Sequence, residues 1–199
     1  MVQATMSAPT KSDTLPYMVK LWDAYVDYCR NVSKRSMAIN IETAALLWYE
    51  CDRSQARSVC DLGSGFTSYV LARYAAESGY PVSVMSVDDD VEWMTKSAGF
   101  LRRHRLPSES VVSYDVWSGC ADMFDVIIHD FNSGGTRNRT MWEVAGRVNP
   151  GGVIIFDDMQ NDGHRTEMGR VAVAHEWPLV DVLMISTDET HRYAGMVRT

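Results

Sequence analysis

Val126-Ile127-Ile128 and Val153-Ile154-Ile155-Phe156 are short apolar runs without a polar residue between them. A strand with one wet face alternates apolar and polar side chains, so such runs belong to strands buried on both faces, as in a parallel sheet held between two helical layers. The rest of the chain meets that demand. Strand-like runs occupy residues 58–62, 82–87, 111–114, 124–129, 153–156, 179–185 and 192–197, and helical patterns fill most of the gaps, at 67–77, 91–103, 137–148 and 165–175. Only the short polar segment 186–191 separates the last two runs. That is too short for a helical crossover, so the final strand should be antiparallel.

Two helices precede this alternation. Leu15, Met18, Val19, Trp22, Tyr25, Val26 and Cys29 recur at three- and four-residue steps, which predicts an amphipathic helix over 11–30. A second helix is predicted over 41–51, with Asn40 as its N-cap. Residues 1–52 read as a helical cap or lid on a domain of residues 53–199, within one structural domain overall, and residues 1–10 read as a loose terminus. Tyr17, Trp22, Tyr25 and Tyr28 on the cap helix form a packing stripe, a homodimer contact or a wall of the substrate site.

At 199 residues and 46% hydrophobic content the chain can bury one sizeable core. Its net charge of −7 argues against nucleic acid as a partner, because binding to phosphate backbones depends on clustered Lys and Arg. The one basic cluster, Arg102, Arg103, His104 and Arg105, falls at a helix end, where cations complement the dipole. Cys29, Cys51, Cys60 and Cys120 lack the close pairing of a zinc site, so reduced thiols are expected. No signal pattern opens the chain, and no apolar stretch approaches the roughly 20 residues that cross a bilayer. A cytoplasmic protein without a membrane partner is the expectation.

The chemistry concentrates in Val59-Cys60-Asp61-Leu62-Gly63-Ser64-Gly65-Phe66-Thr67-Ser68, a strand that runs into a glycine turn and then a helix. Gly63 and Gly65 flank Ser64 and let the backbone turn sharply and approach a ligand closely. The acidic Asp88 follows 23 residues after Gly65, near the ribose-binding spacing of nicotinamide enzymes. Against that reading, the third glycine position of the dinucleotide turn is Ser68, and Asp61 stands two positions before the first glycine.

With Asp61, Gly63 and Gly65 in the pattern acid-x-Gly-x-Gly, the chain resembles the class I S-adenosylmethionine-dependent methyltransferases. Ser86-Val87-Asp88-Asp89-Asp90, Phe124 to Asp130 and Asn149 to Asp158 resemble that family's second, fourth and fifth strand ends, so the resemblance covers about residues 59–158. It implies an α/β, doubly wound, Rossmann-like sheet of order 3-2-1-4-5-7-6, mostly parallel with the last strand antiparallel, under an N-terminal helical cap. It also implies S-adenosylmethionine as cofactor. Asp88, or its neighbour Asp89, would hold the ribose hydroxyls through charge-assisted hydrogen bonds. Asp61 would order the turn, bind the methionine amino group or cap the helix. Asp115 would meet the adenine amino group, and Ser36 and Met37 would approach the cofactor.

Three carboxylates, Asp130, Asp157 and Asp158, follow the fourth and fifth strands. They resemble the magnesium ligands of metal-dependent O-methyltransferases, in which the metal clamps an acceptor oxygen and lowers its pKa. As alternatives, Asp157 and Asp158 cap the next helix or bind water. Phe156-Asp157-Asp158-Met159-Gln160 also resembles a bacterial methyltransferase group in which a histidine often follows Asp-Asp-Met. Here Gln160 takes that place, which leaves Asp130, His164 and His129 as the candidate catalytic groups. The implied activity is methyl transfer to a small molecule, at oxygen more readily than nitrogen. The rivals are an NAD(P)-dependent oxidoreductase and a catalytically silent binder of S-adenosylmethionine.

Overall fold

The computed structural model describes residues 7–131 and 134–199. Part of the expected loose terminus therefore lies outside the described residues. Helices α1 (Lys11–Asn31) and α2 (Ile41–Ser54) come first, followed by β1 (Ser58–Leu62), α3 (Phe66–Glu77), β2 (Ser83–Asp88), α4 (Val91–Arg103) and β3 (Val111–Ser113). The chain continues through α5 (Tyr114–Gly119), β4 (Phe124–His129), α6 (Gly134–Ala145), β5 (Val148–Phe156) and α7 (Asp162–Ala174). It closes with β6 (Leu179–Val180), α8 (Leu183–Ser186) and β7 (Gly195–Arg198).

The seven strands form one sheet in the order β3-β2-β1-β4-β5-β7-β6. Strands β1 to β5 pair in parallel, and β7 runs antiparallel to both β5 and β6, as expected. Neighbouring residues of the central strands serve opposite layers. Val59, Val126, Val153 and Ile155 join the core beneath α1 to α4. Cys60, Ile127, Ile154 and Phe156 join the core beneath α5, α6 and α7. Burial on both faces is why these strands read as unbroken apolar runs. Helices α1 and α2 contribute Leu21, Tyr25, Tyr28, Leu46 and Trp48 to the same core as the sheet, so the N-terminal segment is built into one helical layer. Asn40 caps α2 as predicted, accepting from the Thr43 amide at 2.6 Å.

Three local readings change. Residues 179–185 do not form one strand, because only Leu179–Val180 pairs and the chain then turns into α8. Val182 and Ile185 are 2% and 6% exposed, while Leu183 and Met184 between them are 46% and 70% exposed. Burial at a three-residue interval is helical. Strand β5 starts before 153, since Asn149 to Gly152 belong to it through an irregular register against β4 and a positive φ of 81° at Gly151. Tyr114 opens the short helix α5, which buries Trp117, where the apolar run had predicted the end of a strand.

Candidate functional site

Strand β1 pairs with β2 on one side and β4 on the other, so helices leave for opposite faces at its carboxyl end. Open α/β sheets bind ligands in the crevice at this switch point. A cavity of about 340 Å³ occupies it, lined by the 63–67 turn, Asp88, Asp89, Asp90, Asp130, Asp157 and Asp158.

The turn is rigid because the protein itself ties it down. Gly63 has a φ of 102°, and a Cβ there would lie 2.2 Å from the carbonyl oxygen of Asp130, so this glycine is required by the end of β4 and not by a ligand. The Ser64 amide and hydroxyl both donate to Asp88 Oδ2 at 2.8 Å, and the Asp90 amide donates to Asp88 Oδ1 at 3.0 Å. Asp88 thus braces the turn while facing the cavity with its remaining acceptor capacity. Burial raises its pKa. Asp89 is exposed on the cavity rim, and Asp90 caps α4 by accepting from the Trp93 amide. Trp93 lies across the turn, its indole N–H donating to the Ser64 carbonyl.

Asp61 is fully buried and does not line the cavity. Its Oδ2 accepts from Thr67 Oγ1 at 2.8 Å and from Ser68 Oγ at 2.9 Å, and Ser68 Oγ in turn accepts from the Gly65 amide at 3.0 Å. Of the roles open to Asp61, ordering the glycine turn is the one this geometry performs. Burial outweighs the hydroxyls and pushes its pKa up to about 7.

Ser36 and Met37 line the cavity from an exposed segment between α1 and α2. Arg192, which the sequence reading missed, fixes that segment by donating to the carbonyls of Ala38 at 2.8 Å, Arg35 at 3.2 Å and Ser36 at 3.3 Å. Asp188 holds the other side of the same guanidinium at 2.9 Å. Tyr28, expected in a packing stripe, a dimer contact or a substrate wall, packs with a buried ring and lines the cavity, its hydroxyl 3.1 Å from the point where a Cβ on Gly65 would stand. Asp115 lies elsewhere, exposed in the first turn of α5 and outside the cavity lining.

The three carboxylates after β4 and β5 do converge, with one oxygen from each lying within 4.8 Å of the others. Hard oxygen donors at that spacing are what magnesium takes. A cation already stands among them, however. Arg137 of α6, only 3% exposed, donates from Nη2 to Asp130 Oδ1 at 2.8 Å, from Nη1 to Asp158 Oδ2 at 2.7 Å and from Nε to the Phe131 carbonyl. Of these three acids, Asp157 is the one with a buried carboxylate oxygen that has no partner. The acids as they stand therefore fit a guanidinium, with two of the three bound to it, and not a divalent ion. A sequence signal for Arg137 existed, because the first turn of a helix disfavours a cation unless an anion compensates.

Burial, together with the charge of Asp158, pushes Asp130 up to about 7 against the pull of Arg137. Burial and the charges of Asp130 and Asp158 raise Asp157 further. The two histidines lie outside the cavity lining. His129 is fully buried against the rings of Phe131 and Phe156, bonds Thr140 Oγ1 through Nε2 at 2.7 Å, and is pushed down to about 3 by burial and by Arg137. His164 sits half-buried at the start of α7, lowered by burial and then by Arg137. Among the described residues, Asp130 is the one expected catalytic group that faces the cavity.

No family model matches the chain, and no curated protein matches it. Solved structures do. The O-methyltransferase TomG from Streptomyces achromogenes, involved in tomaymycin synthesis and in complex with SAM, aligns with a TM-score of 0.63 at 14% identity, covering 92% of this chain and 88% of its own. An O-methyltransferase from Bacillus cereus in complex with SAH aligns with a TM-score of 0.61 at 14% identity, covering 96% and 91%. The 16S rRNA N2 G1207 methyltransferase of T. thermophilus, in complex with AdoMet and guanosine, gives 0.54 at 18% identity over 78% and 42%. With this strand order, and with these structural neighbours, the chain has the fold of the class I S-adenosylmethionine-dependent methyltransferases.

Proposed function

We propose that the chain is a methyltransferase that uses S-adenosylmethionine to methylate a small-molecule acceptor, at oxygen, in the cytoplasm. One observation carries this reading: the Asp88-braced glycine turn and Asp130 line a single cavity at the switch point of the sheet. The first is suited to a nucleoside, and the second to the proton of an acceptor hydroxyl. The solved O-methyltransferases with SAM or SAH bound share the fold and support the assignment.

Bound S-adenosylmethionine would supply an electrophilic methyl group on sulfur. Displacement at that carbon needs the acceptor held in line and kept from water, and the chain provides for both. Tyr28 and residues 36–39 line one side, so that helix α1 and the segment joining it to α2 would cap the cavity. Asp88 and Asp89, which line the cavity, would grip the ribose hydroxyls. Asp130, poised near neutral pH, would accept the acceptor's proton in its ionised form, with Arg137 fixing its orientation. The magnesium implied by the acid triad has no part in this reading, since Arg137 stands there.

The cavity charge separates the rivals. Even with Asp130 and Asp157 raised, the other four lining carboxylates, Asp88, Asp89, Asp90 and Asp158, outnumber the two guanidiniums, those of Arg137 and Arg192. A negative lining favours a sulfonium bearing an ammonium group and opposes the pyrophosphate of NAD(P) and the backbone of nucleic acids. The test is calorimetry with S-adenosylhomocysteine, NAD and NADP, followed by transfer of isotopically labelled methyl to a panel of phenols and other hydroxy compounds. Binding of S-adenosylhomocysteine with labelled product is expected. Binding of NAD or NADP without S-adenosylhomocysteine would overturn the assignment, and cofactor binding without transfer to any acceptor would leave only the silent binder.

A further inference from the structure

We infer that Arg137 is the resident cation of the Asp130-Asp157-Asp158 cluster, a built-in replacement for a divalent metal ion. All three kinds of nitrogen on its guanidinium are engaged at once, with Asp130, Asp158 and the Phe131 carbonyl. Such a fork fits paired carboxylates in a way that a lysine or a freely moving side chain does not. Guanidinium stays protonated in proteins, so a metal cannot enter by releasing a proton from it and would have to expel the whole group.

Expulsion has nowhere favourable to lead. Arg137 is 3% exposed, and the charged and titratable groups around it are the three acids, His129 and His164, both lowered by burial and by Arg137 itself, and the second guanidinium, Arg192. Arg192 acts on the same acids from the cavity lining but is held by Asp188 and the carbonyls of Arg35, Ser36 and Ala38. A buried guanidinium stripped of its carboxylates costs far more than an exposed one. Asp157, whose free oxygen would be left for a metal, cannot hold a hard cation alone, because such ions take several oxygen ligands. Where the methyltransferase reading holds, a consequence for substrate class follows: the acceptor needs no second oxygen to chelate a metal, and one hydroxyl suffices.

Manganese titration followed by electron paramagnetic resonance tests this without any turnover, so its outcome is independent of whether the chain transfers methyl groups. The wild-type protein should show no site tighter than about 1 mM, the weak end for oxygen-ligated divalent ions. Arg137→Met should create a site at least roughly 10-fold tighter, in line with the influence of an adjacent arginine on a carboxylate, and Asp157→Asn in that background should abolish it. Arg137→Lys, which keeps the charge, should create none. A wild-type manganese site that disappears in Asp157→Asn would overturn the inference, and so would failure of a folded Arg137→Met to gain one. Should Arg137→Met not fold, the wild-type titration with its Asp157→Asn control decides the matter.

Discussion

Asp61→Asn should make the protein more stable at neutral and alkaline pH, although it removes the acid that opens the glycine-turn motif. The side chain is fully buried; its Oδ2 accepts from Thr67 and Ser68, and the buried Ser86 hydroxyl lies beside it outside ideal hydrogen-bond geometry and pulls the other way from burial. Burial pushes the carboxyl from its ordinary 3.8 up to about 7. An acid raised on folding binds its proton more tightly in the native state, so its contribution is intact below about 3.8 and is lost as pH rises through about 7. At roughly 1.4 kcal/mol for each tenfold change in proton affinity, the loss reaches about 4 kcal/mol by pH 8. That is a large part of a typical domain stability of about 5–15 kcal/mol.

Asparagine keeps the oxygen that Thr67 and Ser68 need and adds an N–H toward Ser86, without a charge to bury. Urea unfolding of both proteins at about pH 4 and about pH 8 isolates the effect, because other titrating groups cancel in the difference. The variant should gain on the wild type by about 4 kcal/mol between the two conditions. A difference that does not change with pH, or a variant that is the weaker protein at pH 8, would mean that folding does not raise the proton affinity of Asp61, and the argument from burial would fail.

Asp88→Ala should weaken S-adenosylhomocysteine binding by about 1.5–3 kcal/mol, the range for hydrogen bonds to a charged group, and unchanged affinity in calorimetry would remove the ribose role. Gly63→Ala should lower stability by at least about 3 kcal/mol, combining a strained positive φ with a backbone clash; an unaltered melting temperature would mean that the turn is not packed on Asp130. Because Asp130 would act as a carboxylate and is pushed up to about 7, turnover should fall as pH drops through about 7. The apparent value belongs to the interacting acids together. Asp130→Asn should cost about 100-fold or more in kcat, and an unchanged pH profile in that variant would assign the ionisation to another group.

The layered fold was legible in the sequence because strand burial on two faces and helix burial on one leave different periods, and those periods are local. Strands 58–62 and 124–129 and helix 91–103 agree with the structure end to end for that reason. The glycine turn and Asp88 were legible too, since both lie within residues joined by one crossover, and the parallel register fixes where they meet. Residues 179–185 were misread because an apolar run carries no record of which of its members the fold will bury.

The sequence by itself determined the alternation of the central strands with their long helices and the set of acids at the carboxyl edge of the sheet. Tertiary structure alone decided what those acids face. Arg137, Arg192 and Tyr28 reach the cavity from α6, the loop before β7 and α1, far apart along the chain. Their approach decides that a guanidinium meets Asp130 and Asp158 and that His129 turns into the core. Charge and burial act through space, and a carboxylate acquires its counter-ion and its proton affinity only once distant segments have been packed around it.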